Sequence, residues 1–346
     1  MTLNLGERDK RILEAVIQDY IRTAEPVSSR VLSKMYNLDL SPATIRNVMA
    51  DLEDLGLLRQ PHTSAGRIPT QRGLRYYVDT ILEVGDISSP EQEVIYQKLA
   101  GSGSEAEQII KRTSKVLSSV SKHMGVVLAP RFSSMVLRQI QFVRLDGRMV
   151  LAILVGSSGM IQNRIVEVEQ ELSQEDLDRF NRYLNDVLEG LTITEIKAKI
   201  VEEMRQEKIQ FDQMLSRALV LSRKVFDDQT IEDDIYIDGQ VNLLEYPEFA
   251  DVAAMKAIFS AFEDKSILIK LLDGTMDASG VQIFIGSETD LAEMQGCTLI
   301  ASRYSRGSRP LGTLGVIGPT RLNYSKIIPV VDYTAKLISH ILASTV

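Results

Sequence analysis

Apolar residues recur at helical spacing in three short segments near the start of the chain. In residues 7–22 they fall on one face of a predicted helix, and Ser28 or Ser29 can cap a second, shorter predicted helix. Ser41 is a favourable N-cap for a third helix, because Pro42 suits the first helical position and Gly56 can end the helix. The pattern therefore predicts a compact unit of three helices.

Two short extended segments follow the third predicted helix. Residues 57–61 and 67–70 flank the small, polar, glycine-containing loop His62–Gly66, a pattern typical of a hairpin. Thr70 can cap a further helix. The polar segment 86–90 then gives the first predicted domain boundary. Three helices followed by a hairpin are typical of the winged helix-turn-helix, so we assign residues 1–85 to a unit of this kind.

Beyond residue 90, helical and extended patterns alternate. Helical spacing covers 91–124, with an interruption at 101–104, and it returns at 173–226, 249–262 and 324–342. Apolar runs predict strands at 126–129, 136–145, 149–155, 161–168, 235–244, 266–272, 281–285, 297–304 and 313–317. The dipeptide Asp146-Gly147 between two of these runs predicts a hairpin turn. Removing residues 135–229 leaves six strand candidates, which suit one antiparallel sheet with flanking helices. The pattern thus predicts an α+β multidomain chain with an inserted α/β unit.

The charge is unevenly distributed along the 346 residues. The net charge is −8, but residues 1–80 hold eleven Lys and Arg against ten Asp and Glu, so this segment is +1 and the rest is −9. Between Asp54 and Asp79 there are four arginines, one histidine and no acidic residue. A local basic surface on an acidic protein indicates a directed contact with a polyanion.

The candidate DNA contacts lie at the start of the third helix and in the hairpin. A recognition helix offers its N-terminal residues to base edges, where Arg can pair with guanine and Asn with adenine. Short donors and a cation in the hairpin can contact the backbone or the minor groove. The candidates are Ser41, Ala43, Thr44, Arg46, Asn47, His62, Thr63, Ser64, Gly66, Arg67 and Arg72, with Arg59 and Arg75 as weaker ones. The alternative is that this unit is a protein-interaction module whose arginines form an ordinary solvated face.

No established catalytic motif occurs in the sequence. It lacks a phosphate-binding loop, a His-Glu-x-x-His pair and a Gly-x-Ser-x-Gly elbow, and its three histidines are far apart. The one cysteine, Cys297, lies in an apolar strand candidate and is interpreted as a buried thiol. We therefore expect no enzymatic activity, no metal site and no cofactor. The absence of a signal peptide and of a long apolar run favours a cytoplasmic protein with no membrane contact.

The stretches Leu40–Leu58 and Gln60–Thr70 closely resemble the signature of the HrcA family of bacterial heat-inducible transcription repressors. The similarity is long and ungapped, and the segment Gly312–Tyr324 also resembles the family. The resemblance implies a dimeric repressor that binds an inverted-repeat operator, the CIRCE element, upstream of chaperone genes. It also implies a GAF-like domain interrupted by a dimerisation domain, and a chaperonin of the GroEL type as the partner that modulates activity.

With that resemblance, the later domains are assigned in three pieces. Residues 90–134 and 230–346 form the GAF-like domain, and 135–229 form the inserted dimerisation domain. The helices of the insert carry more apolar positions than one buried face needs. The candidate interface residues are Phe211, Met214, Leu215, Leu219 and Leu221. The alternative is that these residues fill an internal core.

Two other functional hypotheses remain open at this point. In the first, the GAF-like domain binds a small-molecule effector that controls a winged-helix regulator. In the second, weaker hypothesis, the C-terminal part is an enzyme fused to a DNA reader, although the catalytic motifs are missing.

Overall fold

The structure is a computed structural model, which describes residues 4–36, 38–62, 65–100, 106–130, 135–157, 161–207, 213–227, 235–250, 252–263, 265–276, 278–289, 291–307 and 309–344. Helices and antiparallel sheets alternate along the chain. The predicted α+β class is therefore confirmed.

The N-terminal unit begins with the three predicted helices, which are α1 (Glu7–Thr23), α2 (Ser29–Met35) and α3 (Pro42–Asp54). Ser28 caps α2 and Ser41 caps α3, as the sequence predicts. The inward faces of the helices form one buried cluster, which includes Ile12, Val16, Leu32, Ile45, Val48 and Leu52. Burial of this apolar face, rather than helix propensity, stabilises such short helices.

A two-stranded hairpin follows α3. Its strands are β1 (Leu58–Arg59) and β2 (Ile68–Pro69), and Arg67 also pairs with Val27 in an isolated bridge just before α2. Gly66 is needed here because a Cβ at this position would lie 2.3 Å from the carbonyl oxygen of Val27. The returning strand of the hairpin is therefore packed directly against the segment that leads into α2.

Helix α4 (Gln71–Tyr76) joins the hairpin to the rest of the chain. Thr70 caps it through a bond from the Gly73 amide, and a π-helical turn (Tyr77–Ile81) extends it. Helices α5 (Ser89–Ala100) and α6 (Ala106–Ser121) come next. Helix α5 starts inside the polar segment 86–90, where Ile87 is buried. The connection between the N-terminal unit and the rest of the chain is therefore short.

The main sheet has the strand order β7-β3-β10-β9-β8, and all of its pairs are antiparallel. The strands are β3 (Met124–Leu128), β7 (Ile235–Asp238), β8 (Val281–Ile285), β9 (Cys297–Arg306) and β10 (Arg309–Pro319). Three further helices flank this sheet, namely α10 (Val252–Glu263), α11 (Lys265–Asp273) and α12 (Tyr324–Ser344).

Both faces of the main sheet are buried. Val127 and Val316 belong to the cluster that includes α5, α6 and α12, whereas Val126 and Ile317 belong to the cluster with α10 and α11. Successive strand residues point to opposite faces, so near-continuous apolar runs are what a sheet covered on both sides requires.

The sequence-based assignment of a strand at 266–272 is wrong. This segment lies in helix α11, where Leu268, Leu271 and Leu272 are buried at helical spacing. A short apolar run does not distinguish a strand from a buried helix, and here packing onto the sheet selects the helix. Within the described ranges, the main sheet therefore has five strands instead of the six predicted.

Residues 135–227, which we call the inserted unit, leave the main sheet after β3 and return before β7. The unit contains the sheet β4-β5-β6 and three helices: β4 (Leu137–Arg144), β5 (Met149–Gly156), β6 (Ile161–Glu167), α7 (Gln174–Leu188), α8 (Ile193–Glu207) and α9 (Gln213–Asp227). The predicted strands and the Asp146-Gly147 turn are confirmed. Its buried residues form a separate apolar cluster, which includes Leu177, Phe180, Leu184 and Leu188 on one face of α7.

Helix α7 covers the free edge of β4 with amide side chains. Asn185 accepts a hydrogen bond from the Ile140 amide at 2.7 Å and donates one to the Ile140 carbonyl at 2.9 Å. Asn181 binds both backbone groups of Phe142 in the same way, at 2.7 and 3.3 Å. These side chains replace a neighbouring strand, so this edge is closed to further strand pairing.

Among the described helices, α12 is the one that is long and apolar enough by composition to cross a membrane. However, 50% of its apolar window is buried inside the chain. Its buried residues include Ile327, Val331 and Ile338, and the helix packs on β9 and α6. This placement makes α12 a core helix of the main sheet.

We predict that Asn185→Ala destabilises the inserted unit by about 1–3 kcal/mol, because Ile140 loses the partners of both its backbone groups. Chemical denaturation gives the free energy of unfolding, and hydrogen exchange reports the protection of the Ile140 amide. Asp186→Ala is the matched control, since Asp186 is exposed on the same helix. Equal effects of the two substitutions would contradict the edge-capping role.

Candidate nucleic-acid interface

The N-terminal end of α3 is exposed and well defined. The Ser41 hydroxyl accepts a hydrogen bond from the Thr44 amide at 3.1 Å, and the two side-chain hydroxyl oxygens lie 2.9 Å apart. Ser41 and Ala43 are exposed, and Thr44 is half-buried. A capped helix start of this kind presents backbone N–H groups and a partial positive charge to solvent, which favours a nearby phosphate.

One face of this first part of α3 consists of Ala43, Arg46 and Asn47, at helical spacing i, i+3 and i+4. All three are exposed, whereas Ile45 and Val48 on the opposite side are buried. In the described part of the chain, Arg46 has no ion pair and the Asn47 amide has no hydrogen-bond partner. Two polar side chains with unused donors are thus held side by side on a rigid helix.

The hairpin places its polar residues less uniformly. His62 is exposed and Gly66 is half-buried, while the predicted contacts Thr63 and Ser64 lie outside the described residues. Arg67 is only 17% exposed, and its guanidinium lies 2.8 Å from the Glu53 carboxylate. The other Glu53 oxygen accepts a hydrogen bond from the Gln60 amide at 3.0 Å. Glu53 therefore ties both strands of the hairpin to the end of α3.

The remaining arginines of the basic interval lie away from the exposed face of α3. A Cβ built at Gly56 would be 3.7 Å from the Arg72 guanidinium, so Arg72 lies at the C-terminal end of α3. Arg75 pairs with Glu288 and Asp79, and it donates to the Ile283 carbonyl at 2.5 Å. The sequence pattern missed this contact with Glu288, which is 213 positions away.

The candidate interface residues of the inserted unit have a different status from the one expected. Leu219 and Leu221 are 1% and 2% exposed, so the core of the unit uses their side chains. Their assignment to a dimer interface is therefore corrected: the other side chains of the inserted unit already cover them. Met214 and Leu215 lie on α9, and Phe211 falls outside the described residues.

The exposed apolar residues of the inserted unit lie instead on its sheet. Ile161 and Ile165 on β6 are 59% and 60% exposed, and they pair with Val155 and Leu151 on β5. Val155 and Leu151 are half-buried. Because side chains alternate between the two faces of a strand, these residues share the outer face of the sheet, opposite the buried Leu154.

Cys297 is buried, as the sequence predicts, and burial raises the pKa of its thiol to about 12. A thiol that stays protonated near neutral pH is a poor nucleophile. Across the described ranges, no group of three His, Cys, Asp or Glu side chains has the arrangement needed to hold a metal ion.

The structure is thus that of an α+β protein with a helical N-terminal unit and an exposed polar face at the start of α3. Residues 107–328 match the model of the family described as HrcA protein C terminal domain. A protein of Geobacter sulfurreducens named heat-inducible transcription repressor HrcA is 52% identical over 342 residues, which cover 98% of each chain. A protein of the same name from Syntrophobacter fumaroxidans is 48% identical over 340 residues, with 98% of each chain covered.

The chain therefore belongs to the HrcA family, as the sequence motifs indicated. A crystal structure at 2.2 Å resolution of a protein described as hypothetical has a similar fold. Its TM-score is 0.65 at 21% identity, with 99% of this chain and 100% of that chain covered. The overall arrangement is thus shared with a solved structure of low sequence identity.

We predict that Glu53→Ala loosens the hairpin and lowers the stability of the N-terminal unit by about 1–2 kcal/mol. The loss of stability is smaller than for a fully buried charged hydrogen bond, because the side chains of Glu53 and Arg67 are 31% and 17% exposed. Thermal unfolding and limited proteolysis of the hairpin provide the measurement. The control is Asp54→Ala, which removes an exposed acid one residue later. Similar results for both variants would refute the tie.

Proposed function

We propose that this chain is a heat-inducible transcription repressor that binds an inverted-repeat operator of the CIRCE type upstream of chaperone genes. The observation that carries the proposal is the exposed face of Ala43, Arg46 and Asn47 on the capped start of α3. Membership in the HrcA family supports repression as the outcome, since the curated relatives bear that name.

In this proposal residues 1–85 act as a winged helix-turn-helix. Helices α2 and α3 supply the helix-turn-helix, and the β1-β2 hairpin is the wing. Helix α3 enters the major groove, where Arg46 pairs with a guanine and Asn47 with an adenine. Ser41 and Thr44 face the phosphates near the helix start, and the exposed Ala43 contacts a thymine methyl group.

The wing adds contacts that position the protein on the duplex. The exposed His62 is its most accessible described donor, and Gly66 allows close approach of the backbone. Thr63 and Ser64 remain predicted contacts, whereas we do not propose a DNA contact for Arg72, because it lies at the C-terminal end of α3. Arg67 is already bound to Glu53, so a phosphate contact by Arg67 would require sharing its remaining donors. Such contacts contribute affinity for all sequences and make binding salt-dependent.

The rest of the chain forms the proposed domains for dimerisation and regulation. Residues 90–134 and 230–346 form the proposed GAF-like domain around the main sheet, and 135–229 form the dimerisation domain. A chaperonin of the GroEL type is the proposed modulator, as the family resemblance implies. The protein works in the cytoplasm, where its operator and that partner are both present.

Dimerisation is proposed to use the outer face of the β4-β5-β6 sheet. Contiguous exposed apolar side chains on a soluble protein mark a contact surface. Ile161 and Ile165 lie on this face on either side of the exposed Asn163, and the half-buried Leu151, Ile153 and Val155 of β5 lie beside them. The proposed occupant is a second copy of the chain, because an inverted repeat needs two reading helices related by a two-fold axis.

We predict that Arg46→Ala weakens operator binding by about 1–3 kcal/mol and relaxes the preference at one base position. Fluorescence anisotropy with operator and scrambled duplexes, at one fixed salt concentration, measures both affinities. Arg182→Ala is the control, since it removes an exposed arginine from the inserted unit without touching α3. Unchanged discrimination in Arg46→Ala would exclude base reading by this residue.

A second prediction is that Ile165→Asp converts the dimer into monomers at micromolar concentration, because it buries a charge in an apolar contact. Sedimentation equilibrium measures the mass. Val201→Asp serves as the control, since Val201 is similarly exposed at 51% but lies on α8. If Ile165→Asp stays dimeric, or if the two variants dissociate equally, the sheet face is not the interface.

A further inference from the structure

A cleft of about 770 Å³ lies between the N-terminal unit and the main sheet. One wall comes from the hairpin and α4, and the other comes from the segments around 287–295 and 320. The lining residues that matter here are Arg59, Arg72, Arg75, Glu288, Gln295 and Thr320. The volume falls in the range of sites that hold a small organic molecule, about 300–1,000 Å³.

Side-chain hydrogen bonds hold the two walls together at one end. Gln71 accepts from the Ser287 amide at 3.1 Å and from its hydroxyl at 2.7 Å, and it donates to the Gln295 carbonyl at 3.1 Å. Arg75 binds both oxygens of the Glu288 carboxylate. The cleft is therefore a defined space between docked surfaces.

The charges in the cleft are not balanced. Arg75 is neutralised by Glu288, and the arginine in turn holds the pKa of that carboxyl below its usual value, against the opposing effect of burial. Arg59 and Arg72 are exposed, and within the described ranges neither has an ion pair. The lining thus has a net charge of +2 on a chain whose total is −8.

Arg72 and Arg59 are badly placed for the same stretch of DNA as Arg46. Arg72 lies beside Gly56, which follows the C-terminal end of α3 and is ten residues after Arg46 in the sequence. From Arg46 to Asp54, the last residue of α3, the helix rises about 12 Å at 1.5 Å per residue. A recognition helix reads bases with its N-terminal part, so the two cleft arginines lie at the opposite end.

We propose that this cleft binds a small phosphorylated anion, with Arg59 and Arg72 as its main ligands. Guanidinium groups recognise phosphate oxygens with two parallel hydrogen bonds, and two unpaired arginines complement a diphosphate better than a single carboxylate. The Thr320 hydroxyl and the Gln295 amide add neutral donors on the opposite wall. Because the bound anion touches both walls, it favours the docked arrangement of the two units.

Inorganic pyrophosphate is the minimal probe, tested on the full-length protein by isothermal titration calorimetry. We expect saturable binding with one site per chain. Arg59→Gln and Arg72→Gln should each weaken it about tenfold or more, because each removes a charge-assisted contact. Arg46→Gln is the matched control, since it removes an unpaired exposed arginine outside the cleft and should leave pyrophosphate binding unchanged.

Operator binding by the same variants tests whether the cleft arginines bind a soluble anion or the phosphates of the DNA backbone. Without pyrophosphate, Arg59→Gln and Arg72→Gln should bind the operator as the unsubstituted protein does. The proposal is overturned by the absence of saturable pyrophosphate binding, by equal weakening in Arg46→Gln, or by cleft variants that lose operator binding but retain pyrophosphate. Failure of Arg46→Ala to affect operator discrimination would instead count against the proposed base-reading role alone.

Discussion

The pairing of β3 with β10 is the contact on which the rest of the arrangement depends. It joins Met124–Leu128 to Thr313–Ile317, which are far apart in sequence, and β7 and β9 then pair on either side. Leu128 at the end of β3 pairs with Ile235 at the start of β7, so the inserted unit leaves and re-enters the sheet at neighbouring points. A segment whose ends are close together can fold around its own core without disturbing its host.

The same closure provides the surface on which the N-terminal unit docks. Strand β8 at the edge of the main sheet and the turn after it present Ile283, Ser287 and Glu288 to α4. Polar contacts by Gln71 and Arg75 then hold the unit in place. The arginines of one short basic interval are consequently divided among three environments. Arg67 supports the hairpin, Arg75 joins the two parts, and Arg59 and Arg72 line a cleft.

The inserted unit shows how one small sheet can be closed on one side and open on another. Asn181 and Asn185 satisfy the edge of β4, so strand addition there is blocked. The outer face keeps Ile161 and Ile165 in solvent, so face-to-face burial is the remaining way to cover apolar area. In the dimer that we propose, this face is the contact surface, and the N-terminal units take no part in the interface.

Local pattern was sufficient for the elements whose signals lie within a few residues. The caps of α2 and α3, the inward faces of the helices and the Asp146-Gly147 hairpin all follow from neighbouring side chains, and the structure confirms them. The choice of Arg46 and Asn47 as reading residues has the same local basis, and the structure shows them exposed on one face.

Contacts between residues distant in sequence decided the structure of segment 266–272, the burial of Leu219 and Leu221, and the ion pair between Arg75 and Glu288. Segment 266–272 is a helix because the main sheet offers it an apolar face, and Leu219 and Leu221 are buried because other parts of the inserted unit cover them. Arg46 and Arg75 are both arginines on helices of the N-terminal unit, yet only Arg75 meets Glu288, which is 213 positions away. A local pattern records which side chains can be buried or charged, whereas the contact that satisfies each of them arises only when the chain closes.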